Sequence, residues 1–360
     1  MIGKLLKLAS VLLSAAVSYV IYRLAFTLPA VTEHLYSRRI YPFLARNLGG
    51  LTGTFSFSLA EVLLYLFAAS VLFFLGYILC AFFKPKGSKF YHIAKRFLSF
   101  LILLCTLYNM FILFWGLNYA RQPLADSMEL EIREYSKEDL ASLCDTLIER
   151  TNAARENVSE SSDGFFTLSH SRDYYQETVG EIYDSYAPDY INIGVKSRVK
   201  GVMTKNMLSS TLTYGIFSPF TYEANINLQM PDMYFPVICL HEFSHLQGFA
   251  REDEANFIAW YLGFRCENPD FVYSANAYAL QYALNSLYRA SPEDYWQAYE
   301  KLSAGVKRDY QLNTQYWDQF ETDFSEKYEK YLAYNGVEDG LQSYGRMLDL
   351  MLAFEQQSTK

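Results

Sequence analysis

Three stretches of this chain are apolar almost without interruption: Leu8 to Leu28, Val62 to Phe83 and Phe97 to Leu117. A helix needs about 20 apolar residues to cross a hydrocarbon core of roughly 30 Å, so each stretch predicts a membrane span. The second and third hold no charged residue. The first holds only Arg23, close enough to its end for the side chain to reach the headgroups. Lys4 and Lys7 give it the basic start of a secretory signal, but its apolar run is too long for a signal core.

Beyond residue 120 the texture changes. Ser136 and Asp139 are spaced as a capping box opening a helix toward Arg150. After a Ser/Asp/Gly-rich loop at Ser159 to Gly164, helical spacing returns from Arg172 to Tyr186. Between Tyr190 and Leu228, short β-like runs are broken by Gly194, Gly201, Gly215 and Pro219. Within them Tyr222, Ala224, Ile226 and Leu228 alternate with Thr221, Glu223, Asn225 and Asn227, which predicts a half-buried strand with one wet side. From Pro231 the chain reads as helices, broken at Asn268-Pro269, Ser291-Pro292 and Asn335-Gly336. The pattern predicts an α+β, mainly α chain, with three N-terminal transmembrane helices in residues 1–120 and a helical domain with one small sheet in residues 121–360.

Charge sharpens this division. Residues 1–120 carry 11 Lys and Arg against Glu33 and Glu61, a balance of +9, whereas the rest carries 20 against 37, a balance of −17. An acidic domain repels a phosphate backbone, which excludes nucleic acid as the expected partner and leaves the lipid bilayer and a substrate outside it. Lys4, Lys7, Lys84, Lys86, Lys89, Lys95 and Arg96 flank one side of the spans, and Arg38, Arg39, Arg46 and Arg121 the other. That bias places the amino terminus inside and residues 121–360 on the extracytoplasmic side of a cell membrane. Cys80 and Cys105 fall in spans, and Cys144, Cys239 and Cys266 do not form a disulfide framework.

The candidate chemistry lies in His241-Glu242-Phe243-Ser244-His245, an HExxH pattern. Four-residue spacing puts both imidazoles on one face of a helix, where they can hold one Zn2+ ion. Pro236 suits the first turn of that helix and Gly248 its C-terminal stop. A catalytic zinc takes a third protein ligand. His34 and His92 flank spans and His170 stands alone in a loop, which leaves the acidic cluster Glu252-Asp253-Glu254, opening a helix that runs to Cys266. Acids also favour a helix amino terminus through the macrodipole, which accounts for all of them without choosing one. Glu252 shares a small, polar face with Ala255, Asn256 and Ala259, and Glu254 lies about 200° around from it, so only one of the two can be the ligand. Cys239 lies about 200° from His241 and is expected in the core.

These residues resemble the gluzincin metallopeptidases, in which HExxH is followed by a glutamate in an E-x-x-A-[D/N] helix. The resemblance implies Glu252 as third ligand and Asn256 where that group often has an aspartate, with a shorter gap after His245 than is usual. A wider resemblance, to the bacterial domain-of-unknown-function family 3810, rests on Trp115-Gly116-Leu117-Asn118-Tyr119, Phe217-Ser218-Pro219-Phe220-Thr221 and the His241 to Phe257 block. It implies a zinc peptidase and supplies no substrate.

The expected function is a membrane-anchored zinc-dependent metallopeptidase that hydrolyses peptide or amide bonds outside the membrane, with Glu242 as general base. The strand from Thr221 to Leu228 precedes the metal helix as the edge strand does in zinc peptidases, and an exposed edge there would pair with an extended peptide. Tyr344 and Arg346 are the candidates for stabilising an oxyanion. The competing reading is an inactive zincin-like domain that binds a peptide or cell-wall fragment as a sensor; the retained Glu242 favours catalysis. Intramembrane proteolysis is disfavoured, because the apolar run before His241 is short and broken by Pro236.

Overall fold

A computed structural model describes residues 2–81, 83, 86–320 and 343–358. The chain begins with helix α1 (Ile2–Thr27), passes through a helical segment α2 (residues 29–53), and continues through α3 (Leu59–Ala81) and α4 (Lys86–Phe114). Stretches of α1, α3 and α4 are long and apolar enough to cross a membrane: Gly3–Thr27, Leu59–Cys80 and Phe90–Phe114. Almost none of their surface is buried within the protein. Helices α1 and α4 lie side by side, where Ser18 Oγ donates to Asn109 Oδ1 at 2.7 Å and Asn109 Nδ2 donates to Ser14 Oγ at 2.9 Å. Such polar clasps suit helices that have lipid for solvent.

The last apolar stretch starts and stops earlier than its hydropathy predicts. Trp115 leaves helical geometry with φ −145° and ψ −47°, and Gly116–Ala120 form a tight 3-10 turn whose Leu117 and Asn118 are buried in the folded domain. The apolar residues after Phe114 therefore belong to the domain.

No simple period marks α2, and its geometry explains why. Its buried positions, Thr32-Glu33, Tyr36-Ser37, Tyr41-Pro42, Ala45, Gly49 and Thr52, recur about every four residues, a set that ordinary α turns would rotate off one face. Wider i→i+5 turns at Glu33–Ile40 and Ala45–Gly49 keep it in line.

The remaining elements are α5 (Lys137–Arg155), α6 (Arg172–Tyr186), β1 (Val199–Val202), β2 (Gly215–Ser218), β3 (Glu223–Asn227), α7 (Phe235–Leu246), α8 (Glu252–Gly263), α9 (Pro269–Ala290), α10 (Pro292–Glu300), α11 (Ala304–Asp318) and α12 (Ser343–Ser358). The Ser136–Asp139 capping box is formed, and Asn268 and Ser291 cap the helices that follow them. The Asn335-Gly336 break lies outside the described residues. Helix α7 runs through the core between β3, α6, α8 and α9.

The strand order is β1-β3-β2, with β1 parallel and β2 antiparallel to β3. This corrects two expectations. The strand before α7 is central, so the edge beside it is β2. It also has no wet side, because Glu223, Asn225 and Asn227 are all buried. Asn225 Nδ2 donates to the Ile216 and Glu223 carbonyls, and Asn227 Nδ2 to Ser209 Oγ. Glu223 forms a fully buried ion pair with Lys200 and accepts from Leu59 N at 3.1 Å and Ala60 N at 2.7 Å, capping α3. In the same first turn, Glu61 accepts from Met203 N and Thr204 N, both at 2.9 Å, so the start of α3 is fastened to the sheet from both sides.

Candidate metal centre

Every residue of α7 is buried. Pro236 sits in its first turn, and Gly248, with φ +94°, ends it: Gly248 N donates to His245 O at 2.8 Å and Phe249 N to Ser244 O at 3.2 Å. The turn then delivers Glu252 to the first position of α8, facing the imidazoles. His241 Nε2 lies 3.2 Å from His245 Nε2 and 3.3 Å from Glu252 Oε2, and His245 Nε2 lies 3.5 Å from Glu252 Oε1. Ligands at about 2.0–2.1 Å around a tetrahedral ion stand roughly 3.3 Å apart, so the spacing of the two imidazole nitrogens, and of each from its nearer Glu252 oxygen, suits a shared zinc ion, and one ligand atom from each residue lies within 4.8 Å of the others.

Glu254 points elsewhere. Its Oε1 accepts from Leu124 N at 2.7 Å and from Arg251 Nη1 at 2.8 Å, which removes it from the donor set. Cys239 is fully buried in the core, as expected. Asn256 accepts a hydrogen bond from Tyr278 OH at 3.0 Å and borders the site without belonging to the donor group.

The surroundings aim these side chains. His245 Nδ1 donates to Phe249 O at 2.7 Å, which leaves Nε2 free to face the centre. Tyr41 OH donates to the carbonyls of His245 and Leu246, and Tyr183 OH to that of Leu240, so α7 is held from both flanks. Arg121 Nη1 donates to Gly248 O at 3.0 Å while its Nε and Nη2 hold Glu33 on α2 at 2.9 and 2.8 Å.

Electrostatics divides the acids by role. Burial pushes the Glu242 carboxyl up to about 7, against the pull of the two imidazoles. Its Oε2 has no hydrogen-bond partner among the described residues. Desolvation by the neighbouring groups works in the same direction on Glu252, although its side chain is 64% exposed, but the imidazoles outweigh it and hold that carboxyl well below its ordinary value. Burial alone would lower His245; Glu252 raises it instead, to about 9. Gly215 on β2 is pressed against Glu242: a Cβ there would meet Glu242 Oε1 at 2.5 Å. Only glycine lets the strand approach this closely.

Two cavities meet at these residues, one of about 190 Å³ and one of about 440 Å³, and share Gly215, His241, Glu242 and Glu252. The smaller is bounded by Trp115, Tyr119 and Phe217, the larger by Thr213, Tyr278 and Tyr282. Strand β2 walls both. Arg346 lines a different cavity, with Asp253, Glu254 and Asp349, and the Tyr344 side chain lies outside the described residues. The spacing of Tyr278 and Tyr282, one helical turn apart, is the signal by which the sequence could have pointed to hydroxyls at the site. Nothing local marks Tyr41.

A family described as a protein of unknown function (DUF3810) matches residues 36–352. No curated protein and no solved structure matches the chain.

Proposed function

The chain belongs to this family of unknown function, and from the geometry of its own site we propose that it is a membrane-anchored zinc-dependent metallopeptidase. In this reading α1, α3 and α4 cross the bilayer, and the Lys/Arg bias puts the site on the extracytoplasmic side. The observation that carries it is the His241, His245 and Glu252 cluster, with the two imidazole nitrogens 3.2 Å apart and each within 3.5 Å of one Glu252 oxygen, beside a buried carboxylate and open to two cavities. Two imidazoles and a carboxylate suit zinc, with room left on the fourth side. Zinc bound there would acidify water and polarise a carbonyl.

Glu242 handles the proton. Raised to about 7, its carboxylate accepts a proton from water as the water oxygen bonds to the carbonyl carbon. It returns that proton to the nitrogen as the C–N bond breaks, giving an acid and an amine. Strand β2, paired only with β3 among the described residues, offers a free edge to an extended chain. Tyr119, which burial keeps protonated, and Tyr282 are hydroxyls on either side of the centre that can donate to a developing oxyanion.

The test is cleavage of a mixed-sequence peptide library by the zinc-loaded full chain and by Glu242→Gln. The variant should keep its zinc and lose at least about 100-fold in rate. Equal rates would remove Glu242 from the mechanism. A zinc-loaded wild type that cuts nothing would return the site to a binding role.

A further inference from the structure

We infer that the substrate is a polypeptide anchored in the same membrane, cut within about three extended residues of its anchor. This rests on the peptidase reading above and adds the height at which the site works.

The height follows from the end of α4. Its apolar stretch stops at Phe114, and the next residue, Trp115, lines the smaller cavity with its ring 6.1 Å from that of His245. A side chain reaches roughly 3–4 Å beyond its own helix backbone, so the His245 ring stands within about 10 Å of the level where the span ends. The headgroup layer is itself on the order of 5–7 Å deep. The donor cluster thus lies in that layer or just above it.

The domain has no freedom to rise away. Tyr36 OH donates to Leu113 O at 2.9 Å and Tyr222 OH to Phe114 O at 2.8 Å, tying the last turn of α4 to α2 and to the residue before β3. Glu223 and Glu61 tie the start of α3 to the sheet.

Helix α2 gives a second, independent measure. It joins the end of α1 to the start of α3, so both of its ends are fixed at one face of the bilayer. One side of it packs under the metal helix through Tyr41. The other exposes Val31, Leu35, Phe43 and Leu51, each between 49% and 66% open, with Arg39 and Asn47 exposed between them. An in-plane helix that exposes large apolar side chains interleaved with arginines belongs in the interface. The bilayer then lies on one side of α2 and the site on the other, separated by a helix diameter of about 10–12 Å, in accord with the first measure.

The approach to the site has the matching chemistry. Trp115 and Tyr119 are the residue types of a membrane interface, and Ile216 and Phe220 on the sheet side are 52% and 37% exposed. A chain anchored in the leaflet is confined at this height, whereas a free peptide has to enter the headgroup layer from water.

The experiment uses the full chain in zinc-loaded proteoliposomes and one mixed-sequence peptide library in five forms. Four are anchored, by a diacyl lipid or by a transmembrane helix, each through an uncleavable spacer with the reach of about three or about 30 residues; the fifth is free. Effective concentration falls roughly as the −3/2 power of tether length, so the short spacer should be cut at least about tenfold faster than the long one, under one anchor or both. Which anchor supports cutting identifies the natural source. Equal rates for short, long and free forms, all abolished by Glu242→Gln, would overturn the anchored substrate and leave the peptidase standing. No cleavage of any form would overturn both.

Discussion

Arg121→Met tests how the membrane-proximal frame supports the site. Arg121 is only 4% exposed, and its guanidinium makes a bidentate pair with Glu33, donates to Gly248 O and lies 4.1 Å from the centre of the Phe249 ring. Methionine keeps the bulk and removes every donor. Stripping one partner from a buried pair costs about 3–5 kcal/mol, and because Arg38 still reaches Glu33 at 2.9 Å the lower end applies here. For a domain of this size, about 3 kcal/mol lowers the melting temperature by roughly 6–12 °C, read as a thermal shift in detergent. A second readout separates framing from bulk stability. The Gly248–Phe249 turn carries the carbonyl that orients His245, so zinc affinity should fall about 10- to 100-fold. Burial would raise the Glu33 carboxyl, but the Arg121 and Arg38 guanidiniums overturn this and hold it below its ordinary value of 4.5. The pair's stabilisation is therefore present above that pH and lost as pH falls below it, so the gap between wild type and variant should close in acid. An unchanged melting temperature together with unchanged zinc affinity would refute the reasoning.

Two further outcomes follow from the site. Gly215→Ala would place a Cβ 2.5 Å from Glu242 Oε1, so it should lower kcat by about tenfold or more while leaving zinc in place; wild-type kcat would show that the strand yields freely. Because Glu252 and its neighbours raise His245 to about 9, zinc uptake near neutral pH must displace a proton, and affinity should strengthen as pH rises toward that value. Calorimetry in buffers of different ionisation enthalpy reads the proton directly, and zinc affinity that does not change over that range would contradict it.

The parts of the site legible in the sequence are local. His241 and His245 share a face because a helix repeats every 3.6 residues, Pro236 and Gly248 mark that helix's ends, and helix geometry sets Glu252 and Glu254 on different faces of α8, with Glu252 implied by the gluzincin resemblance. What the sequence hides is long-range. Tyr41 and Arg121 meet α7 and the turn that ends it from positions far away in the chain, and no periodicity announces either contact. The wide turns of α2 spoil the 3.6-residue repeat by which an amphipathic helix is recognised. Alternation from Thr221 to Leu228 correctly marks a strand, but polar residues on one side read as solvent-facing when their partners are remote. Glu223 is buried because Lys200 and the start of α3 satisfy it, a compensation invisible locally. Gly215, which reads as a strand breaker, is a point of close approach.

The most direct test of the central claim is the metal content of the detergent-purified full chain, compared with His241→Ala, Glu242→Gln, Glu252→Ala and Glu254→Ala. About one zinc per chain is expected in the wild type, Glu242→Gln and Glu254→Ala, no stoichiometric zinc in His241→Ala, and affinity weakened by at least about tenfold in Glu252→Ala. Stoichiometric zinc in His241→Ala, or zinc kept by Glu252→Ala and lost by Glu254→Ala, would contradict the claim.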